Sequence, residues 1–235
     1  MKDATQRKAV VIANGDLGAA AAIRAFAAEA DLLIAADGGA QHCRTLGLTP
    51  HLIVGDLDSL EPEGRAFFEQ AGVRFEVHPA HKDETDLELA VRAALREGAR
   101  EAVLVAALGA RWDQSLANIL LLAHPAFAPL RLRLVEGPDT FWIVRDQATV
   151  RGQPGDRLSL LPLSGDVAGL TLTGLEYPLA DSALRFGFTT GISNRLVAPE
   201  ATITLRQGIL LAMHHQASPA RELELAPSPK GGSYE

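Results

Sequence analysis

The sequence predicts an α/β domain built on a parallel sheet, followed by a small antiparallel β-sandwich. Three observations carry this. Short apolar runs alternate with helical patterns as far as about residue 145. Several of those runs are continuous, as strands buried on both faces are. Beyond Asp146 the texture changes to short alternating segments punctuated by Gly and Pro, with no helical stripe. The expected division is 1–145 for the α/β domain, 146–226 for the sandwich and 227–235 for a polar, disordered tail.

Each element has its own justification. Ala9 to Ala13 is an apolar strand that ends in Asn14-Gly15-Asp16. Gly18 to Ala30 is alanine-rich, with Ile23, Phe26 and Ala27 at helical spacing. Leu32 to Ala36 is a second strand ending in Asp37-Gly38-Gly39, and a helix over Ala40 to Leu46 is stopped by Gly47 and Pro50. Leu52 to Val54 is a third strand, running into Gly55-Asp56-Leu57-Asp58-Ser59. Glu61 to Ala71 reads as helix and Val73 to Val77 as strand. Thr85 to Glu97 is a helix with Leu87, Ala90, Val91, Ala94 and Leu95 on one stripe. Thr85 and Glu88 form its capping box and Gly98 ends it. Ala102 to Ala107 is a strand, Ser115 to Ala123 a helix and Leu130 to Val135 the closing strand. This order describes a Rossmann-like sheet with helices on both faces. In the second domain the strands expected are 149–151, 157–161, 169–172, 185–188, 201–205 and 209–214.

Composition bounds the function. A chain of 235 residues suffices for one large or two small domains. A net charge of −7, with no Lys/Arg-rich run, argues against a general nucleic-acid surface. The lone cysteine, Cys43, excludes an intrachain disulfide, fits a reducing compartment and reads as a small core residue. The apolar stretch 9–13 is too short for a signal segment, and no run approaches membrane-spanning length. The expectation is a cytoplasmic protein with no membrane partner.

In parallel sheets ligands bind beyond the carboxyl ends of the strands. Five polar clusters fall there: 14–16, 37–39, 56–59, 83–86 and 109–114. In an extended chain Asp56 and Asp58 share one face, with Cα atoms about 7 Å apart. Two carboxylates ~6 Å apart repel by roughly 3 kcal/mol at an effective dielectric near 20. Relief comes from water, a basic side chain, a raised pKa or a divalent cation, and Mg²⁺ suits carboxylates at a strand end. The plainer reading makes both residues turn formers, with Asp58 or Ser59 capping the next helix. Asp86, in a first helical turn, could complete a three-carboxylate site. Asp37-Gly38-Gly39 lets backbone approach a phosphate or sugar, or is simply a tight turn. Arg111 is the obvious rim cation for phosphate oxygens, whereas Asp113 could be only a helix cap. His78, His81 and Lys82 read as a solvated loop, and the His214-His215 pair as structural or exposed. Neither GxxxxGK[ST] nor GxGxxG is present. Acids, glycine turns and an arginine together suggest Mg²⁺-dependent transfer from a nucleotide, without saying which phosphorus is attacked.

These residues resemble a known family. Asn14-Gly15, Ala36 to Ala40, Gly55 to Ser59, Lys82 to Glu88 and Gly109 to Gln114, with Asn118 beyond, are similar to the thiamine pyrophosphokinases. Gly174 to Leu179 and Gly187 to Asn194 extend the resemblance into the second domain. It implies transfer of pyrophosphate from ATP to the thiamine hydroxyl, releasing AMP, in a homodimer with sites between subunits. It implies Mg²⁺ on Asp56, Asp58 and Asp86, and these three as the catalytic carboxylates. It implies a nucleotide side of Asn14, Gly15, Asp37, Gly38, Gly39, Thr85, Arg111, Asp113 and Gln114, and thiamine contacts from Ser193 and Asn194. Position 114, where many bacterial members have His, and Ala110, where a second Gly is expected, depart from the pattern. Two other readings stay open: a DxD glycosyltransferase using a nucleotide sugar, which shares the metal logic, and a catalytically inactive nucleotide-binding module.

Overall fold

The computed structural model describes residues 7–217. The chain divides into two compact units between Gly137 and Pro138.

The first unit alternates strand and helix: β1 Lys8–Ile12, α1 Ala20–Glu29, β2 Leu32–Ala36, α2 Gly39–Leu46, β3 Leu52–Gly55, α3 Pro62–Gln70, β4 Arg74–Val77, α4 Asp86–Arg96, β5 Glu101–Val105, α5 Trp112–Leu121 and β6 Arg131–Glu136. Its strands lie in the order β6-β5-β1-β2-β3-β4, and every pair is parallel. The order reverses direction between β5 and β1, which is where such sheets open a crevice for ligands. β2 and β3 are buried at every position, and β1 and β5 at all but the first. Successive side chains point to opposite faces, so both faces are covered. α4 packs across β1, β2 and β3. It buries Leu87, Leu89, Ala90, Val91, Ala93 and Ala94, a wider face than the expected stripe, while Leu95 is only half-buried. Each large side chain so buried contributes about 1.5–3 kcal/mol. Gly47, at φ 67°, closes α2. Cys43 is fully buried, and that burial pushes its thiol pKa up to about 12, so it is an inert core residue.

The second unit has β7 Asp139–Val144, β8 Gln147–Arg151, β9 Arg157–Pro162, β10 Val167–Thr173, β11 Leu179–Leu184, β12 Asn194–Arg195, β13 Glu200–Thr204 and β14 Leu210–His215. They form two antiparallel arrays, β12-β9-β14-β7 and β11-β10-β13-β8. Alternate residues, among them Leu158, Leu160, Leu170, Leu172, Ala201 and Ile203, meet in one core. Two expectations need correction. Residues 185–188 are not a strand: β11 ends at Leu184, Gly187 turns at φ 82°, and Phe186 and Phe188 are exposed. The run 139–144, passed over in the sequence, is β7, which pairs with β14 along its whole length. That pairing places 139–144 with the second unit, so the division precedes residue 146. The tail expected over 227–235 lies outside the described residues.

Inside the second unit, the fully buried His214 meets Asp156, Nε2 to Oδ2 at 3.0 Å. Asp156 also accepts from the amides of Gln153 and Ala217. Burial lowers the His214 pKa, against the opposing pull of the Asp156 charge. Burial works to raise Asp156, but its amide hydrogen bonds and His214 outweigh that and lower it. The unfolded chain takes up the imidazole proton first as pH falls, so the stability that comes from the neutral His214 is complete above about pH 6.5 and declines below it, while that from ionised Asp156 persists until pH falls below about 4. The expected outcome is an unfolding free energy, from urea titrations at a series of pH values, that falls between about pH 6.5 and 5 in the wild type. In His214→Gln that fall should be markedly shallower. Equal slopes would contradict the assignment.

Candidate active site

The polar rim of the first unit is built by strand ends that cannot continue as strands. Asp37, Leu57 and Ala106 have left-handed backbones, at φ 43°, 64° and 52°. Such conformations are costly for residues with side chains and gather at functional sites. Leu57 is buried in the core cluster, which anchors the turn between the two aspartates. Asp56 and Asp58 therefore converge through a left-handed turn, not through the extended geometry expected. The Asp58 amide donates to Asp56 Oδ1 at 3.2 Å. Neither Asp58 nor Ser59 caps α3, whose N-cap is Glu61 and whose first residue is Pro62.

Asp37, Asp56 and Asp58 can each offer a carboxylate oxygen such that all three lie within 4.8 Å of one another. Asp37 is buried, and its Oδ1 has no hydrogen-bond partner among the described residues. An uncompensated buried carboxylate oxygen is expensive, and a cation would satisfy it. Three carboxylate oxygens this close together are within reach of one divalent cation with oxygen ligands. Gly55 makes the approach possible. A Cβ there would lie 2.9 Å from Asp37 Cβ and 3.2 Å from Asp86 Oδ1. Asp86 thus borders the cluster, at the start of α4, where Thr85 caps the helix by accepting from the Glu88 amide at 3.2 Å. The return half of the expected capping box is replaced: the Glu88 carboxylate bonds Arg92.

Lys82, expected in a solvated loop, lies instead among these acids. Its Nζ lies 2.8 Å from Asp86 Oδ1 and 3.9 Å from Asp56 Oδ2, with the side chain 11% exposed. Burial works to lower its pKa, but the Asp86 hydrogen bond and the charges of Asp86, Asp56 and Asp37 outweigh that and raise it. The available signal was the four-residue spacing of Lys82 and Asp86 beside a helix start.

The remaining rim residues divide into scaffold and exposed groups. Gly15 is tight against β5: its amide donates to Ala106 O at 2.7 Å, and a Cβ would strike Leu108 O. A Cβ at Gly38 would strike the Asn14 side chain, and one at Gly39 would lie 2.0 Å from Ile12 O. These two glycines serve close packing of the chain on itself. His42 Nε2 meets Gly15 O at 2.8 Å, and the buried Ser115 hydroxyl spans Gly109 N and O. Arg111 and Asp113 are exposed and paired, Nη2 to Oδ2 at 2.5 Å. That hydrogen bond raises the arginine pKa and lowers the aspartate's. Asp113 lies within the first turn of α5, whose N-cap is Arg111, and Gln114 beside it is exposed. In the second unit Ser193 is exposed at φ 61°, and its amide donates to Ser159 Oγ at 3.0 Å. The Asn194 amide group is used on both sides: Oδ1 accepts from Tyr177 N and Nδ2 donates to Tyr177 O.

Comparison with known proteins bears on both units. Residues 23–134 match the family model for the thiamin pyrophosphokinase catalytic domain, and 147–210 the model for the thiamin pyrophosphokinase vitamin B1 binding domain. The chain is 30% identical over 209 residues to the thiamine pyrophosphokinase of Bacillus subtilis (strain 168), covering 86% of this chain and 95% of that one. The chain belongs to the thiamine pyrophosphokinase family. Solved structures of thiamine pyrophosphokinases agree. The Bacillus subtilis crystal structure has a TM-score of 0.81 at 27% identity, covering 90% of this chain and 100% of the other. That from Geobacillus thermodenitrificans has 0.78 at 28%, covering 90% and 99%. Both likenesses span an α/β unit followed by a β-sandwich.

Gly55→Ala tests how the acids are brought together. The variant should fold, with far-ultraviolet circular dichroism unchanged, yet lose about tenfold or more in magnesium-supported nucleotide affinity by calorimetry, because Asp37 is displaced. Wild-type affinity would show that the approach at Gly55 is irrelevant.

Proposed function

We propose that the chain transfers pyrophosphate from ATP to the hydroxyl of thiamine, giving thiamine diphosphate and AMP. The observation that carries this is the acid cluster at the rim of a unit matching the family's catalytic domain, in a chain whose other unit matches its vitamin B1 binding domain. The thiamine hydroxyl oxygen bonds to the β-phosphorus, the bond from that phosphorus to the α-phosphate oxygen breaks, and AMP leaves. The hydroxyl proton is lost to solvent or base.

Asp37, Asp56 and Asp58 would hold Mg²⁺, with Asp86 beside them. When bound, the ion neutralises phosphate oxygens that would otherwise repel the attacking hydroxyl. The protein's own share is positioning. Arg111 leaves Asp113 to pair with nucleotide phosphate, which its exposure allows. Asn14, Gly15, Gly38 and Gly39 hold the turns around the nucleotide, Thr85 fixes the start of α4, and Gln114 borders the same side. Ser193 contacts thiamine, and Asn194 clips that loop to Tyr177. The working form is a homodimer in the cytoplasm. Among the described residues no helix is long and apolar enough to cross a membrane.

Incubation with MgATP and thiamine should yield AMP and thiamine diphosphate in equal amounts by chromatography. ADP as the product would mean γ-transfer and overturn the reading. Release of a nucleoside diphosphate from a nucleotide sugar would favour the glycosyltransferase. Asp56→Asn and Asp58→Asn should each fold and lose about two orders of magnitude or more in turnover, because an anionic ligand is gone. Near wild-type turnover at saturating MgATP in both would remove the metal role of this pair.

Ser193→Ala combined with Asn194→Ala should raise KM for thiamine far more than KM for ATP. If each site takes its acids from one subunit and its thiamine loop from the partner, this variant and Asp56→Asn, assayed at thiamine far below the variant's raised KM so that each alone is nearly inactive, should complement on subunit exchange. About half of the dimers are then mixed, each with one intact site, so activity approaches about one quarter of wild type. A mixture that exchanges subunits but stays inactive would assign a complete site to each chain.

A further inference from the structure

The acid cluster has a cation of its own. Lys82 sits one turn before Asp86, its Nζ 2.8 Å from Asp86 Oδ1 and 3.9 Å from Asp56 Oδ2. The three side chains are enclosed, at 11%, 28% and 17% exposure, so this is not a screened surface pair. Nor does the helix start need it, since Thr85 caps α4. The second observation is the partnerless Oδ1 of buried Asp37. Lys82 contacts the Asp86 and Asp56 side of the cluster; its charge is felt at Asp37, but it makes no hydrogen bond to the Asp37 oxygen.

We propose that Lys82 makes this cluster a receptor for the magnesium–nucleotide complex and a poor one for the free ion. The inference rests on the reading of the acids as a metal site. A free divalent ion entering among Asp37, Asp56 and Asp58 arrives beside the resident ammonium and is repelled by it. A nucleotide changes the balance, because its phosphates offer Lys82 another anionic partner. Lysine suits this exchange: its ammonium is a point charge on a flexible four-carbon stem, so it can move between carboxylate and phosphate without moving backbone. The neighbouring start of α4 favours phosphate in the same place. Ion and nucleotide are then coupled: each binds better in the presence of the other.

The test is calorimetric and needs no turnover. Mg²⁺ alone, and α,β-methylene-ATP in excess Mg²⁺, are titrated into wild type and Lys82→Met. The variant should bind Mg²⁺ alone about tenfold more tightly and the magnesium–analogue complex about tenfold more weakly. Unchanged Mg²⁺ affinity, or both affinities weakened together, would overturn the inference. Wild type that binds the analogue with no dependence on Mg²⁺ would instead overturn the metal reading itself. Should Lys82→Met be unstable in chelator, Mg²⁺ alone should raise its Tm more than it raises that of wild type. An equal rise would count against Lys82 as the ion's competitor.

Discussion

Like charges crowd the rim of the first unit, and the site depends on how that repulsion is contained. Asp37 and Asp86 meet across Gly55, where a single added carbon would fall inside contact distance of both. Asp56 and Asp58 are folded back by a left-handed Leu57 whose side chain is locked in the core. Bringing carboxylates together costs free energy, and the core supplies it: β1, β2, β3 and β5 are buried on both faces, so their ends have little freedom to relax. Lys82 offsets part of the charge, and Asp37 Oδ1 is left without a hydrogen bond among the described residues.

The strained backbones and the tight glycines belong to one design. Left-handed residues end β2, follow β3 and follow β5, which aims their neighbours along the rim instead of into another ladder. Gly15 and Gly39 let the loops of adjacent strands touch backbone to backbone, and Gly38 makes room for the Asn14 side chain. His42, Ser115 and Asn118 then fix those loops through main-chain carbonyls and amides. A rim held this way loses little entropy when a charged ligand arrives, which is what positioning catalysis requires.

The second unit solves a different problem. Its buried His214–Asp156 pair gathers the amides of Gln153 and Ala217, and the Asp156 carbonyl accepts from Leu196, just beyond Asn194 and Arg195. The exposed loop carrying Ser193 is thereby tied to a buried pair. The family likeness covers this unit as well as the first.

Much of this was legible in the residue order. Alternating apolar runs and helical stripes specify a covered parallel sheet because burial on one or both faces leaves a period in the sequence. β2 is found at the residues expected, and the other first-unit elements within a few residues. The DxD turn and the acids at strand ends stood out by type and spacing, whereas spacing alone reads the Ser193 loop as a plain turn and only the family resemblance singles it out. What stayed hidden depends on atoms distant in sequence. The run 139–144 becomes a second-unit strand only by pairing with β14, and 185–188 fails as a strand because no core faces it. Gly38 and Gly39 read equally as an approach for a ligand or as a tight turn, and their close contacts with Asn14 and Ile12 appear only in the fold. Lys82 looked solvated and lies among carboxylates, and Asp37 joins Asp56 and Asp58 across two strands. Local pattern determines which elements form, because periodicity and turn chemistry act over a few residues. Which charges share one small volume is decided only when strand order and side-chain packing bring β2, β3 and α4 to the same rim.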